Sequence, residues 1–297
     1  MKPGKFEYYE PTSVDQAVLM LNDVAEQDGR VIAGGQTLVP AMALRFAQPA
    51  YLVDINGIAE LQTLAVIDGS LSIGACVRHA AFHEPVLDGA LGRLLTTVVR
   101  HIAHLPIRNR GTFCGSIANA DPASEWCLVA ATLDATLIVR SVSGERRIPA
   151  SSYFQGFMTT DLALNELLVS ANLPLLPAAT LFGFEEFSRR AGDFAQAMSL
   201  AVLELEDGQM RGVRIGVGGV ESFPRRLAQA EAVLEGKAPD GALLDQAAAI
   251  AAASVEPVDA TQEEQAYRRQ LVETVVRRAL QKALAVQLAQ LHEGSRT

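Results

Sequence analysis

The sequence predicts an α+β chain in two lobes followed by a smaller unit, and three observations carry that reading. Apolar residues alternate with period two around an Asp-Gly turn in two separate places, Asp68-Gly69 and Asp207-Gly208, which marks antiparallel hairpins. Other stretches repeat their apolar residues every three to four positions, as amphipathic helices do. The length, 297 residues, exceeds one ordinary domain of about 100 to 200 residues, so more than one core is expected.

Taken in order, Ser13 precedes Val14, Ala17, Val18 and Leu21 at helical spacing, and Gln16 sits three residues after Ser13 as in a capping box. A helix ending before Gly29 follows from this. Arg30-Val31-Ile32-Ala33 is a β-branched run that stops at Gly34-Gly35, which reads as a buried strand entering a tight turn. Tyr51 to Ile55 gives a second strand, and the hairpin around Asp68-Gly69 opens a second lobe. Helical spacing runs from Leu87 to His104. The segment RNRGTFCGSIANADPASEW (108–126) reads as a loop in which Asp121 caps a helix starting at Pro122 and running to Leu133. ATLIVR, a turn at Gly144 and the segment ending ELLVSANLP close the lobe. Two prolines between Leu173 and Pro177 suggest the boundary, giving units at 1–176 (lobes of about 1–57 and 58–176) and 177–297. Strands are expected at FGFEEFSRR and on both sides of Asp207-Gly208, followed by the alanine-rich Ala242 to Ala253. Beyond Tyr267, Leu271, Val272, Val275, Val276, Ala279, Leu280, Ala283 and Leu284 form one apolar stripe, read as core packing.

Net charge is −9, which argues against a duplex-embracing or anionic-membrane protein. No uninterrupted apolar run of about 18 residues is present, and MKPGKFEYYE has no signal-peptide core, so a soluble cytoplasmic protein without membrane insertion is expected. Cys76, Cys114 and Cys127 form no C-x-x-C pair, which suits a reducing compartment. An all-thiolate iron–sulfur cluster usually takes four cysteines, so any such centre belongs on another subunit.

Two glycine segments, AGGQT (33–37) and RGTFCGS (110–116), are the candidates for chemistry. Consecutive small residues let successive N–H groups converge on an anion, and a following helix adds its dipole, as in a dinucleotide pyrophosphate cradle. Neither segment is a P-loop or a G-x-G-x-x-G fingerprint, and Gly216-Val217-Gly218-Gly219 reads as close sheet packing. His79 and His83 have metal-ligand spacing but no third ligand, so they are read as solvated and no metal site is expected. His101 and His104 are read as structural or surface residues, with a polar cofactor contact from His104 as the sharper alternative. Ser116 has no nucleophile-elbow setting, and no catalytic side chain is expected. Arg108 and Arg110 are open between phosphate and partner binding.

Four motifs in order, AGGQTLVPAMALR with LVDI, IRNRGTFCGSIANADPASE, FSRRAGDFA and YRRQLVETVVRRAL, make the whole chain resemble the FAD-binding medium subunit of the molybdenum hydroxylases, the family of xanthine, carbon monoxide, nicotine and caffeine dehydrogenases. The resemblance implies a two-lobed FAD-binding fold of the vanillyl-alcohol oxidase (PCMH) type and a small C-terminal domain of antiparallel sheet plus helices. It implies that Ala33, Gly34, Gly35, Gln36, Thr37 and Leu38 wrap the FAD pyrophosphate, and that Gly111, Thr112, Gly115 and Ser116 meet it from the other lobe. Glu125 takes the place of an acidic contact on the adenosine side, with Asn119 and Asp121 nearby; Ile102 and Leu168 flank the ring. Two departures stand out: Cys114 puts a thiol where relatives carry glycine, and Glu185 or Glu186 replaces a lysine, with Arg189 or Arg190 as substitutes for its charge. The implied role is electron transfer from 2Fe-2S clusters of a small subunit to an external acceptor. Hydroxylation, with N-heteroaromatic compounds as one substrate class, then belongs to a large molybdopterin subunit in a dimer of heterotrimers. A self-contained FAD oxidase or dehydrogenase and a non-enzymatic nucleotide-binding module remain as alternatives.

Overall fold

The computed structural model describes residues 2–258 and 261–285; the end of the predicted C-terminal unit, past 285, lies outside them. The first lobe is a three-stranded parallel sheet of β1 (Glu7–Tyr9), β2 (Gly29–Ile32) and β3 (Tyr51–Asp54) in the order β1-β3-β2. Helices α1 (Val14–Val24) and α2 (Leu38–Ala43) make the connections. Ser13 caps α1 by accepting the Gln16 amide, and the Gln16 side chain reaches one residue further back, to the Thr12 amide at 3.0 Å, so the predicted box is closed on Thr12. The strand β1 was not predicted: three residues beside Lys5 and Pro11 carry too little pattern.

The second lobe is a five-stranded antiparallel sheet in the order β4-β5-β10-β6-β7, from β4 (Leu64–Ile67), β5 (Ser70–Gly74), β6 (Thr136–Ser141), β7 (Gly144–Pro149) and β10 (Leu167–Pro174). The predicted Asp68-Gly69 turn joins β4 to β5, both residues having positive φ. Before β6 lie α3 (Ala90–Val99), α4 (Leu105–Arg108), α5 (Phe113–Asn119) and α6 (Glu125–Thr132); after β7 come α7 (Ala150–Tyr153) and the ribbon β8 (Phe154–Gly156) and β9 (Thr159–Thr160).

Two predictions are corrected here. Residues 113–119, read as loop, are the helix α5, capped by Thr112 and burying Phe113, Cys114 and Ile117. The next helix starts at Glu125 with Ser124 at its cap position. Asp121 instead makes an Asx turn, accepting the Ala123 amide at 2.9 Å, so Pro122 precedes the helix rather than opening it.

The third unit is an antiparallel sheet of β11 (Leu181–Phe187), β12 (Ala197–Glu206), β13 (Gln209–Gly218) and β14 (Arg225–Arg226), with α8 (Ala228–Leu234), α9 (Gly241–Ser254) and α10 (Gln262–Ala283). In α10 the predicted stripe is buried from Leu271 to Ala283, each large side chain contributing roughly 1.5 to 3 kcal/mol of burial. One face of β12, through Met198, Leu200 and Val202, joins the core of the first two lobes, and the other face, through Ala197, Ala201 and Leu203, packs with the helices. The glycines at 216 and 218 are close sheet packing as predicted: a Cβ at Gly216 would strike Thr132 and Leu128 of α6, and one at Gly218 would meet the Met198 side chain and come within 3.2 Å of the Pro122 carbonyl.

Candidate functional site

The loop after β2 and the loop before α5 meet. A Cβ on Gly34 would overlap the Arg110 carbonyl and lie 2.7 Å from the Gly111 Cα, so only glycine permits the two backbones to touch. Gly35 follows with φ +70°. Among the described residues, no protein acceptor takes the amides of Gly34, Gly35, Gln36 or Thr37, while Gln36 folds back to donate to the Gly34 carbonyl at 3.0 Å. Thr37 is exposed, and Leu38 opens α2. This is a row of free donors over a buried glycine.

The second loop is different. The Gly111 amide donates to Ile107 O at 2.7 Å, that of Gly115 to Thr112 Oγ1 at 3.0 Å and that of Ser116 to Thr112 O at 3.1 Å. The Ser116 carbonyl takes the Cys127 thiol, and Asn119 ends α5. His79 braces this loop from beneath. Its backbone amide donates to Gly111 O at 3.0 Å, its ring touches Gly111, and its Nδ1 accepts from the Trp126 indole at 2.9 Å. His79 is 4% exposed, so the solvated reading is overturned; burial, then Arg78 and Arg108, pushes its pKa down to about 4 and keeps the ring neutral. His83 accepts from Arg108 Nε at 3.1 Å.

For Cys114 the resemblance implied a thiol beside the cofactor, and the structure corrects this. Its thiol points into the core and donates to Ile73 O, and burial drives its pKa up, so it is no neighbour of the open loop surface. Cys76 and Cys127 are buried free thiols too. Leu168 lies in the core at an irregularity of β10, and Ile102 is buried just beyond α3, its carbonyl bound by Arg108 Nη1 at 2.8 Å. Arg110 is exposed, and the His104 ring lies against Gly192.

Glu125 at the start of α6 and Glu186 on β11 lie close enough for the charge of one to act on the other. Burial pushes the Glu125 pKa up to about 8, with the charges of Glu186 and Asp121 adding to it; burial alone takes Glu186 to about 7. Glu186 Oε2 has no hydrogen-bond partner among the described residues and lies 3.6 Å from His101 Nδ1, whose ring packs edge-on against Phe184. Burial and then Lys282 hold the His101 pKa below its ordinary value. Glu185 turns the other way, to Lys282 and Arg278, and the suggested substitutes Arg189 and Arg190 are both exposed. No group of three or more metal-ligating side chains occurs among the described residues, and no helix among them is long and apolar enough to cross a membrane.

Sequence reasoning missed Asn56 and Arg78. The Asn56 side-chain nitrogen donates to Ala33 O at 2.7 Å, its oxygen accepts from Arg78 Nη2 at 2.6 Å, and Arg78 Nη1 donates to Arg110 O. These links span 22 to 32 residues of chain and leave no local pattern.

A two-lobed α+β fold whose lobes bring two glycine loops into contact, backed by an antiparallel sheet and helices, defines a dinucleotide-binding flavoprotein class. Residues 4–176 match the model of the FAD binding domain in molybdopterin dehydrogenase, and residues 182–283 that of the CO dehydrogenase flavoprotein C-terminal domain. The chain belongs to this family of FAD-binding medium subunits of molybdenum hydroxylases. It is 36% identical to the 6-hydroxypseudooxynicotine dehydrogenase complex subunit alpha of Paenarthrobacter nicotinovorans, over 96% of each chain. It is 35% identical to the nicotine 6-hydroxylase medium subunit of the same organism, over 95% of this chain and 99% of that one. Among solved structures, a chain of carbon monoxide dehydrogenase from Hydrogenophaga pseudoflava superposes with a TM-score of 0.91 at 34% identity, covering 96% of this chain and 99% of that one.

Proposed function

We propose that this chain is the electron-transfer subunit of a molybdenum hydroxylase complex, holding FAD between its lobes. Electrons would arrive from 2Fe-2S clusters of a small subunit and leave to an external acceptor, while a separate molybdopterin subunit hydroxylates substrate. The observation that carries the FAD placement is the contact of Gly34 with Arg110 and Gly111, a close approach that a Cβ would block, beside a row of four unpaired amides. The residues present fit a diphosphate: Ala33 to Leu38 would supply backbone donors. The second loop would contribute shape and the Ser116 hydroxyl more than amides, since those of Gly111, Gly115 and Ser116 are already used.

When bound, the flavin supplies the redox chemistry, and the protein's part is to hold and tune it. Ile102 would flank the ring, with Leu168 supporting it from the core, and Asn119, Asp121 and Glu125 would lie toward the adenosine side. Burial raises the carboxyl pKa of Glu125 to about 8 and that of Glu186 to about 7, so Glu125 holds its proton at neutral pH and Glu186 titrates there. N-heteroaromatic compounds are the substrate class we favour for the complex, from the nicotine-type names of the two relatives. The division at 1–176 and 177–297, assembly as a dimer of heterotrimers and a cytoplasmic location complete the reading; three buried free thiols suit a reducing compartment.

Purification of the tagged chain from its native cell, with a visible spectrum and a subunit gel, tests the proposal. FAD with two separate partner chains supports it. FAD on a lone chain bleached by substrate would favour a self-contained flavoenzyme, and a colourless chain would leave only a nucleotide-binding module.

A further inference from the structure

Two loops that touch only through a glycine have no intrinsic reason to stay in register, because van der Waals contact at one residue resists sliding weakly. The second loop is already fixed to the strand-end segment after β5: Arg78 and Thr112 form an isolated bridge, flanked by the bonds His79 N to Gly111 O and Phe113 N to Val77 O, each 3.0 Å. The first loop has no backbone hydrogen bond to that segment among the described residues. Its tie is made by side chains alone. Arg78 forks, one nitrogen to Arg110 O on the second loop and the other to Asn56 Oδ1 at 2.6 Å; Asn56 Nδ2 then donates to Ala33 O on the first loop at 2.7 Å. Asp54 fixes Asn56 in turn, Oδ1 accepting the Asn56 amide at 2.8 Å, and Tyr8 Oη donates to Asp54 Oδ2.

We propose that Arg78 and Asn56 form a clasp that sets the spacing of the two glycine loops, making them positioning residues for a dinucleotide diphosphate. The chemistry selects these residue types. Asn56 must accept on one side and donate on the other, which an amide does and a carboxylate does not. Arg78 must reach two acceptors at once, which a planar guanidinium does and a single ammonium does poorly. The fork also lays a fixed positive charge behind the amide row in a chain whose net charge is −9, favouring a dianionic diphosphate over the rest of the surface. The inference rests on the FAD reading of this site.

The test uses the full chain, freed of FAD and titrated with FAD, and with ADP as a diphosphate lacking the ring. Asn56→Asp keeps the contact to Arg78 but sets a carboxylate oxygen against both Ala33 O and Asp54 Oδ1, the two acceptors of the Asn56 side-chain nitrogen, and Arg78→Lys keeps the charge but loses the fork. Each variant should weaken FAD by about tenfold or more and ADP in parallel, the loss expected when a partner is left unpaired. The double variant should lose little beyond the worse single one, since both cut the same link. Amide hydrogen exchange of the FAD-free variants should rise at Arg110 and Gly111, whose amides bond Ile107 O, and at Val39, whose amide bonds Gly35 O, and not elsewhere; a rise spread over the whole chain would mean a general folding defect and overturn the clasp. FAD and ADP binding within about twofold of wild type in both variants would also overturn it. Failure of the wild-type chain itself to take up FAD would instead sink the flavin reading, and the clasp with it.

Discussion

The two glycine loops look alike in sequence and do opposite things in the fold. The first, 33–38, offers its amides outward and is held in place from outside, by Asn56 on Ala33 and by the backbone under Gly34. The second spends its amides on itself, through Ile107 O and both oxygens of Thr112, and serves as the abutment on which the first rests. A glycine-rich segment therefore marks close backbone approach, and only the hydrogen-bond accounting tells whether a ligand or another loop is the thing approached. The largest effect should come from attacking the shared contact. Gly34→Val places a branched side chain where the Arg110 carbonyl stands, so the two loops must separate to admit it. The purified variant should carry essentially no flavin by absorbance ratio. Gly115→Ala should keep most of it, because the added methyl meets only the Thr112 hydroxyl, 2.6 Å away, and that side chain can turn. Equal losses in the two would erase the distinction between the loops.

The next test goes beneath the abutment. Had His79 been a surface residue, its removal would be silent. It is buried instead, and His79→Ala leaves the Trp126 indole without its acceptor and opens a void under Gly111. Denaturant unfolding should show a loss of about 2 to 4 kcal/mol, with flavin retention falling as the second loop loosens. A change under about 0.5 kcal/mol, the ordinary range for a surface substitution, would return His79 to the surface class.

How far the sequence reached follows from the same contrast. Patterns that repeat locally were legible: the Asp-Gly hairpins, the α1 and α10 stripes, and the close packing at Gly216 and Gly218. The helix α5 was missed because Gly111 and Gly115 suggested loop, whereas Thr112 followed by Gly115 is a cap with its amide partner. Both glycine loops were found, but their unequal roles were not, since Asn56 and Arg78 act across lobes and carry no spacing signal. His79 was misjudged for a similar reason: its partner Trp126 lies 47 residues away.

Two buried carboxylates extend the comparison to charge. Glu231 bonds Arg226 at 2.8 Å and the Ile215 amide at 2.9 Å, a closed structural pair at the edge of the C-terminal sheet. Glu186, its side chain 5% exposed, has an oxygen without a hydrogen-bond partner among the described residues and His101 Nδ1 3.6 Å away. Burial raises its folded pKa to about 7, above the ordinary carboxyl value of 4.5, so the folded chain binds more protons than the unfolded one between those values. Stability from this group is full below about pH 4.5 and is lost as pH rises through about 7. Glu186→Gln should remove that slope, flattening the unfolding free energy between pH 5 and 8 by roughly 1 to 3 kcal/mol. An unchanged slope would mean that Glu186 ionises freely in the fold.

The smallest effect separates shape from hydrogen bonding in the abutment. Thr112→Val keeps the volume and branching of the side chain but removes the oxygen that accepts the Gly115 amide. A lost N-cap acceptor costs about 1 kcal/mol, so a modest drop in melting temperature is expected. FAD affinity should hardly move, because the freed amide replaces nothing that the first loop does and the β-branched side chain preserves the contour. If affinity instead rose clearly, the Gly115 amide would be a ligand donor restrained by Thr112, and the second loop would be a second cradle. If affinity fell as far as in Gly34→Val, the cap itself would be setting the loop spacing, and the burden placed on Arg78 and Asn56 would pass to Thr112.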